Sequence, residues 1–160
     1  MMNGLLFVLT LLAALGCAMM AGVFFAFSAF VMQALARLPA QQGIAAMQSI
    51  NILAVTPTFM AALFGTAAAC LGLMVWAVIS WGEPPATLVF SAGVLYLLGT
   101  IGVTIACNVP LNNRLAKLHP QSTNAAGYWD EYVTKWTSWN HVRTVAALVA
   151  AALLTVALQV

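Results

Sequence analysis

The sequence predicts an all-α integral membrane protein, a single four-helix bundle with both termini on the non-cytoplasmic side, and three observations carry that reading. Of the 160 residues, 64% are hydrophobic and only 5% charged, with a mean hydropathy of +1.01. A soluble domain of this length does not run so low in charge, so the solvent is a bilayer. Apolar runs long enough to cross a bilayer, about 20 residues each, recur four times and leave little chain for a water-soluble module. The basic residues are also unevenly placed. Arg37 lies in the first connection, and Arg114, Lys117, Lys135 and Arg143 lie in or beside the third, while the second connection and the termini have none. By the positive-inside rule both basic connections face the cytoplasm, as an even number of spans requires. The expectation is one domain over residues 1–160, in the inner (plasma) membrane, with spans at about 5–35, 57–81, 87–109 and 139–158 and a polar and aromatic segment over 110–138. A formal net charge of +2 is too small to argue for nucleic acid.

The first span carries no charged side chain before Arg37. Ala14, Ala18, Gly22 and Ala26 recur at every fourth position, which predicts a face for close helix packing. Arg37-Leu38-Pro39 ends the helix, and the stretch from Gln41 to Val55 is less hydrophobic. Within it Gln48 and Asn51 point the same way on a helix, either as wet amides of an interfacial helix or as one wall of a pocket. Thr56-Pro57 resembles an N-cap followed by proline at the first helical position. The second span adds a row of small residues at Ala61, Gly65 and Ala69, and Gly82-Glu83-Pro84-Pro85 forms a hairpin turn into the third span. There Gly99 and Gly102 allow a helix or ligand to lie against the backbone. Cys17, Cys70 and Cys107 sit in apolar runs without a Cys-x-x-Cys pair and read as small buried hydrophobes.

Two stretches carry the polar chemistry. Asn108-Val109-Pro110-Leu111-Asn112 places two amides one helical turn apart around a proline. If the helix continues through Pro110, the carbonyl of Ala106 loses its usual donor, and an asparagine or a ligand can engage it. In the second stretch Trp129, Tyr132, Trp136, Trp139, Asn140 and Arg143 follow one another at helical spacing and share an arc of roughly 100°. Two readings stay open: the aromatics are an interfacial belt with Arg143 snorkelling to lipid phosphates, or the stripe is the mouth of a pocket. His141 is the candidate acid or base, imidazole being the side chain that changes charge near neutrality, although it projects about 100° from Asn140. With two histidines and no acid inside a span, no metal-ligand set is recognisable.

Asn108-Val109-Pro110-Leu111-Asn112, Trp129, Tyr132 and the run Trp136-Thr137-Ser138-Trp139-Asn140-His141-Val142-Arg143 resemble the anthrone oxygenase-like membrane proteins, with a weaker likeness around Gln48 and Asn51. The resemblance implies a four-span protein, relatives of which oxidise anthrones to anthraquinones with molecular oxygen. It implies a catalytic set of His141, Asn140, Arg143 and Asn108, with His141 as base and the others as donors to a developing oxyanion. It also implies a substrate-binding set of Asn112, Trp129, Tyr132, Trp136, Trp139, Gln48 and Asn51 around a flat apolar phenol, anthrone or quinol. That chemistry requires no cofactor, and a haem shared between protomers stays compatible with the sequence. The alternative is a non-catalytic protein that binds a lipid, a haem or a partner helix through the same stripe. The expected partners are the bilayer, a small aromatic ligand and a further copy of the chain.

Overall fold

The computed structural model describes residues 4–122 and 124–160, so the first three residues and Thr123 of the expected domain lie outside the described residues. The chain folds into α1 (Gly4–Ala36), α2 (Ala40–Leu53), α3 (Pro57–Ile79), α4 (Ala86–Ala116) and α5 (Ala125–Ala157). All but α2 are long and apolar enough to cross a membrane. The all-α, four-helix expectation is met. At 33 residues, α1 and α5 each extend roughly 50 Å, beyond a hydrocarbon core of about 30 Å, whereas the 23 residues of α3 match it. The surplus length of α1, α4 and α5 gathers at one end, where the 14-residue α2 packs alongside them.

Local signals account for the breaks. Pro39, with ψ of 137°, starts α2, and Thr56 is extended (φ −76°, ψ 149°) ahead of Pro57 at the first turn of α3. The Thr56 side chain makes no capping bond, so proline geometry rather than a cap fixes this start. Gly82 reverses the chain between α3 and α4 with φ of 110°, a left-handed conformation that a side chain would strain. Pro110 does not end the third span. The helix widens into π turns over Leu95–Gly102 and Thr104–Asn108, where the Val109 N–H donates to the Thr104 carbonyl, and α4 then runs on to Ala116. A shorter π turn interrupts α1 at Phe27–Val31.

Two cores hold the bundle. The first joins α1, α3, α4 and α5 through small side chains such as Ala13, Cys17, Ala21, Ala67, Cys70, Ala92, Ala147 and Ala150. Here Cys17 and Cys70 are buried as free thiols with their Sγ atoms 3.9 Å apart, and Tyr96 donates to the Leu63 carbonyl at 3.2 Å. A Cβ on Gly99 would stand 2.5 Å from Cβ of Ala146, so α5 is the helix that lies against this glycine. The second core, at the α2 end, is aromatic and thioether-rich: Met32, Ile44, Met47, Tyr128, Trp129, Tyr132 and Trp136.

The expected row of every fourth residue on α1 is not the packing face. Ala14 is buried but Ala18 and Gly22 are exposed, and Ala61 and Gly65 on α3 are exposed as well. Four residues turn the helix by about 400°, so such a row drifts roughly 40° per step around the axis. The buried face instead alternates steps of four and three, through Cys17, Ala21, Phe24 and Ser28.

Candidate functional site

A layer of buried polar groups separates the two cores. Its centre is Asn140 on α5, fully buried, whose Nδ2 donates to the Phe24 carbonyl at 2.6 Å and to Ser28 Oγ at 2.7 Å on α1. Ser28 lies in the π turn of α1 and Phe24 in the α-helical turn just before it, so a side-chain donor meets α1 where its backbone ladder changes. One turn on, Arg143 is 5% exposed and donates to Asn140 Oδ1 at 2.6 Å and to Thr104 Oγ1 on α4 at 3.2 Å. Its guanidinium lies 4.4 Å from the Phe24 ring centre and 5.1 Å from that of Trp136. Its polar partners are thus neutral oxygens. The ion pairs of the described residues, Arg114–Glu131 at 3.8 Å and Lys135–Glu131 at 2.8 Å, lie instead on the exposed rim. Arg143 Nε has no hydrogen-bond partner among the described residues.

Toward α2 a second set of bonds ties α4 to α5. Asn108 Nδ2 donates to the Trp136 carbonyl at 3.2 Å, and Asn112 Oδ1 accepts from both the Tyr132 hydroxyl and Trp136 Nε1 at 2.8 Å. The asparagine side chains on either side of Pro110 therefore bond to α5 and not to the carbonyl of Ala106. Trp129 and Tyr132 stack with ring centres 5.7 Å apart and planes 13° from parallel, and Tyr132 and Trp136 follow at 6.4 Å and 28°. These residues meet because Trp129, Tyr132, Trp136, Asn140 and Arg143 recur every three or four positions on a continuous helix.

A cavity of about 160 Å³ opens where the chain passes from α2 to α3. On the α2 side of this junction the fourth helix of the bundle is α2, and beyond it the fourth helix is α3; the exchange leaves a gap. Phe24, Phe27, Met60, Leu63 and Trp136 make its apolar wall, and Asn51, Thr104, Asn112 and Arg143 supply the polar groups. A more open cleft of about 420 Å³ adjoins it, sharing Asn51, Val55, Val109 and Asn112 and adding Gln48 and Asn113. Ile52 and Val55, 75% and 69% exposed, mark its outer lip as apolar. The arrangement offers aromatic walls, amide groups and one buried cation, a donor set suited to an oxyanion.

The sequence-predicted residues divide by position. Arg143, Asn112, Trp136 and Asn51 line the cavity. Asn140 and Asn108 lie behind it, holding Arg143 and the Trp136 backbone. Tyr132 reaches it through Asn112, and Trp129 is buried in the aromatic core against Tyr132 and Gly43. Gln48 donates to the carbonyls of Leu115 and Leu118 at 2.9 and 3.0 Å, fastening the end of α4 to α2. Two residues are not brought in. Trp139 is 42% exposed and His141 is exposed, and neither lines the cavity. Their positions, one residue to either side of Asn140, turn them about 100° off the buried arc. Sequence reasoning also passed over Phe24, Ser28 and Thr104. Ser28 and Thr104 carried a signal, since a hydroxyl in a charge-free span needs a partner.

Comparison with curated proteins and with solved structures gave no match. A family model described as anthrone oxygenase matches residues 57–153. That stretch runs from the first residue of α3 through the arginine-bearing part of α5, and it contains Thr104, Asn108, Asn112, Trp136, Asn140 and Arg143. With more than half of the chain and the α4–α5 side of the polar layer inside the match, the chain belongs to the anthrone oxygenase family.

Proposed function

We propose that the protein is a membrane oxygenase that takes a flat apolar phenol, anthrone or quinol from the lipid and exposes its anion to molecular oxygen in the cavity at the α2–α3 junction. The observation that carries this reading is Arg143, a buried cation with no acidic partner among the described residues, at the end of an aromatic-walled cavity with an apolar lip. Removing an uncompensated guanidinium from water costs several kcal/mol, and an anionic ligand offsets that cost. For an anthrone, loss of a methylene proton gives a carbanion delocalised onto the carbonyl oxygen. Arg143 stabilises that oxygen, and Asn140 and Thr104 hold the guanidinium in place. The electron-rich carbon then combines with oxygen: anthrone and O2 give anthraquinone and water, one oxygen atom entering the new carbonyl and the other leaving with the two methylene hydrogens.

His141 has no part in this scheme because it is exposed and off the cavity wall. The proton passes instead to solvent, once Arg143 has made the bound substrate more acidic. The α2 end, which carries Arg37, Arg114, Lys117 and Lys135, faces the cytoplasm in this reading, and both termini face the opposite side.

A second reading, binding without turnover, draws on the lack of an acid–base side chain on the cavity wall among the described residues. Oxygen uptake by purified protein with an anthrone and a one-ring quinol separates the two. Uptake with at least one of them, falling by about tenfold or more in Arg143→Lys, is expected for the oxygenase. No uptake with either, or an Arg143→Lys rate equal to wild type, rejects it.

A further inference from the structure

Arg143 has no fixed counter-charge among the described residues. Phe24 and Trp136 lie over its guanidinium, with ring centres at 4.4 and 5.1 Å, and its polar partners Asn140 and Thr104 are neutral. Those partners are themselves committed: Asn140 Nδ2 donates to Phe24 and Ser28, and the Thr104 hydroxyl donates to the Thr100 carbonyl at 2.7 Å. A guanidinium carries five N–H groups. Two of them make the bonds to Asn140 and Thr104, and Nε has no acceptor among the described residues. Glu83, Asp130 and Glu131, the acids of the chain, line neither the cavity nor the adjoining cleft. Asn112 adds a donor, since its Oδ1 is taken by Tyr132 and Trp136 and Nδ2 is the polar group it has left for the cavity. The cavity wall therefore combines a positive charge and an amide donor with side chains such as Phe27, Met60 and Leu63 that offer an ion no hydration.

We propose that the cavity also binds one small, weakly hydrated monovalent anion, of the halide and thiocyanate class, at Arg143 and Asn112, and that this anion competes with the ionised substrate. The competition rests on the oxygenase reading, whereas the anion site stands without it. An anion beside a buried guanidinium offsets the cost of taking that charge out of water. To enter an apolar-walled space the ion must itself shed most of its water, which disfavours strongly hydrated fluoride and any doubly charged ion facing a single cation. A cavity of about 160 Å³ takes such an ion together with a few waters, at about 30 Å³ each. The ion occupies only the Arg143 end and yields that place to the oxygen of an anthrone, a phenol or a quinol alike.

Quadrupolar broadening of the chloride NMR line reads the site in purified protein in neutral maltoside micelles, with empty micelles as baseline. Wild type is expected to broaden the line, and thiocyanate to reverse this at concentrations at least about tenfold below those at which chloride saturates its own broadening. Sulfate at matched ionic strength should leave that component in place. Arg143→Met, which removes the charge, should lack it. If Arg143→Met does not fold, Val23→Phe takes its place, filling the cavity with Arg143 retained. No broadening that thiocyanate displaces, equal displacement by sulfate, or a displaceable component that survives in the folded variant would each overturn the site. Equal displacement by sulfate would assign the chloride to the exposed cations Arg37, Arg114, Lys117 and Lys135. In oxygen uptake with an anthrone, saturating thiocyanate should raise KM about tenfold or more and leave kcat unchanged, and a fall in kcat at constant KM refutes the competition. The oxygenase reading fails separately. Displaceable chloride without oxygen uptake removes that reading and keeps the anion site, and uptake without displaceable chloride does the reverse.

Discussion

Toward the chain termini, α1, α3, α4 and α5 meet through alanine, cysteine and glycine; toward α2, helices of the same bundle meet through indole, phenol and thioether side chains. In lipid, apolar surface alone gives helices no net reason to associate, so the first half relies on close backbone approach, as where Ala146 lies on Gly99. The second half cannot pack so closely. Its rings hold the helices apart, Asn112, Tyr132 and Trp136 bridge them with hydrogen bonds, and the space left over becomes a cavity. Small residues give a scaffold and large ones give a site, with the Asn140–Arg143 layer as the boundary between them.

The greatest damage should come from breaking that boundary. Asn140→Leu removes the donor to Phe24 and Ser28 and the acceptor for Arg143 in one step. Bonds to charged groups are worth about 1.5–3 kcal/mol each and neutral ones about 1, so a loss of about 3 kcal/mol is expected after partial relaxation. Unfolding by denaturing detergent in mixed micelles measures it, with oxygen uptake lost in the same variant. A stability within about 0.5 kcal/mol of wild type would mean that the two halves do not depend on this layer.

Overfilling the scaffold half should cost somewhat less and affect function differently. Gly99→Leu forces α4 away from α5 at Ala146, and insertion of bulk into a close-packed contact costs about 2 kcal/mol. The same detergent titration reads the loss. Because Gly99 lines neither the cavity nor the adjoining cleft, activity per folded molecule should stay near wild type. Equal loss of stability and activity would show the two halves to be one cooperative unit.

The sequence made the scaffold more legible than the site. Four apolar runs and few charges define the helices because a bilayer admits few alternatives. The arc of Trp129, Tyr132, Trp136, Asn140 and Arg143 was readable from the regular turn of α5. Which of these residues face the cavity depends on where α1 and α2 pass, and periodicity within α5 holds no such information. Asn51 lines the cavity while Gln48, three residues away, fastens the α4 end, a difference set by the far side of the contact. The π turns in α1 and α4 shift the register that an ideal helix would give, and only Pro110 hinted at one of them. Asn108 and Asn112 nonetheless both reach α5, because the widened turn still spaces them by about one helical repeat.

The smallest expected effect decides the most about chemistry. His141 and Asn140 are neighbours in sequence, yet one is exposed and the other fully buried. His141→Ala removes the imidazole without touching the bonds of Asn140 to α1 or of Arg143 to Thr104. Stability should change by no more than about 0.5 kcal/mol, as for exposed sites generally, and the rate of oxygen uptake by less than about twofold. In wild type and variant alike the rate should rise with pH as more of the bound substrate ionises, since the anion is the reactive form and Arg143 stabilises it. If the variant instead loses a hundredfold or so, the scale typical of a missing general base, then α5 must turn His141 inward during catalysis. The site would then be assembled by motion of the very helix whose buried arc defines it at rest.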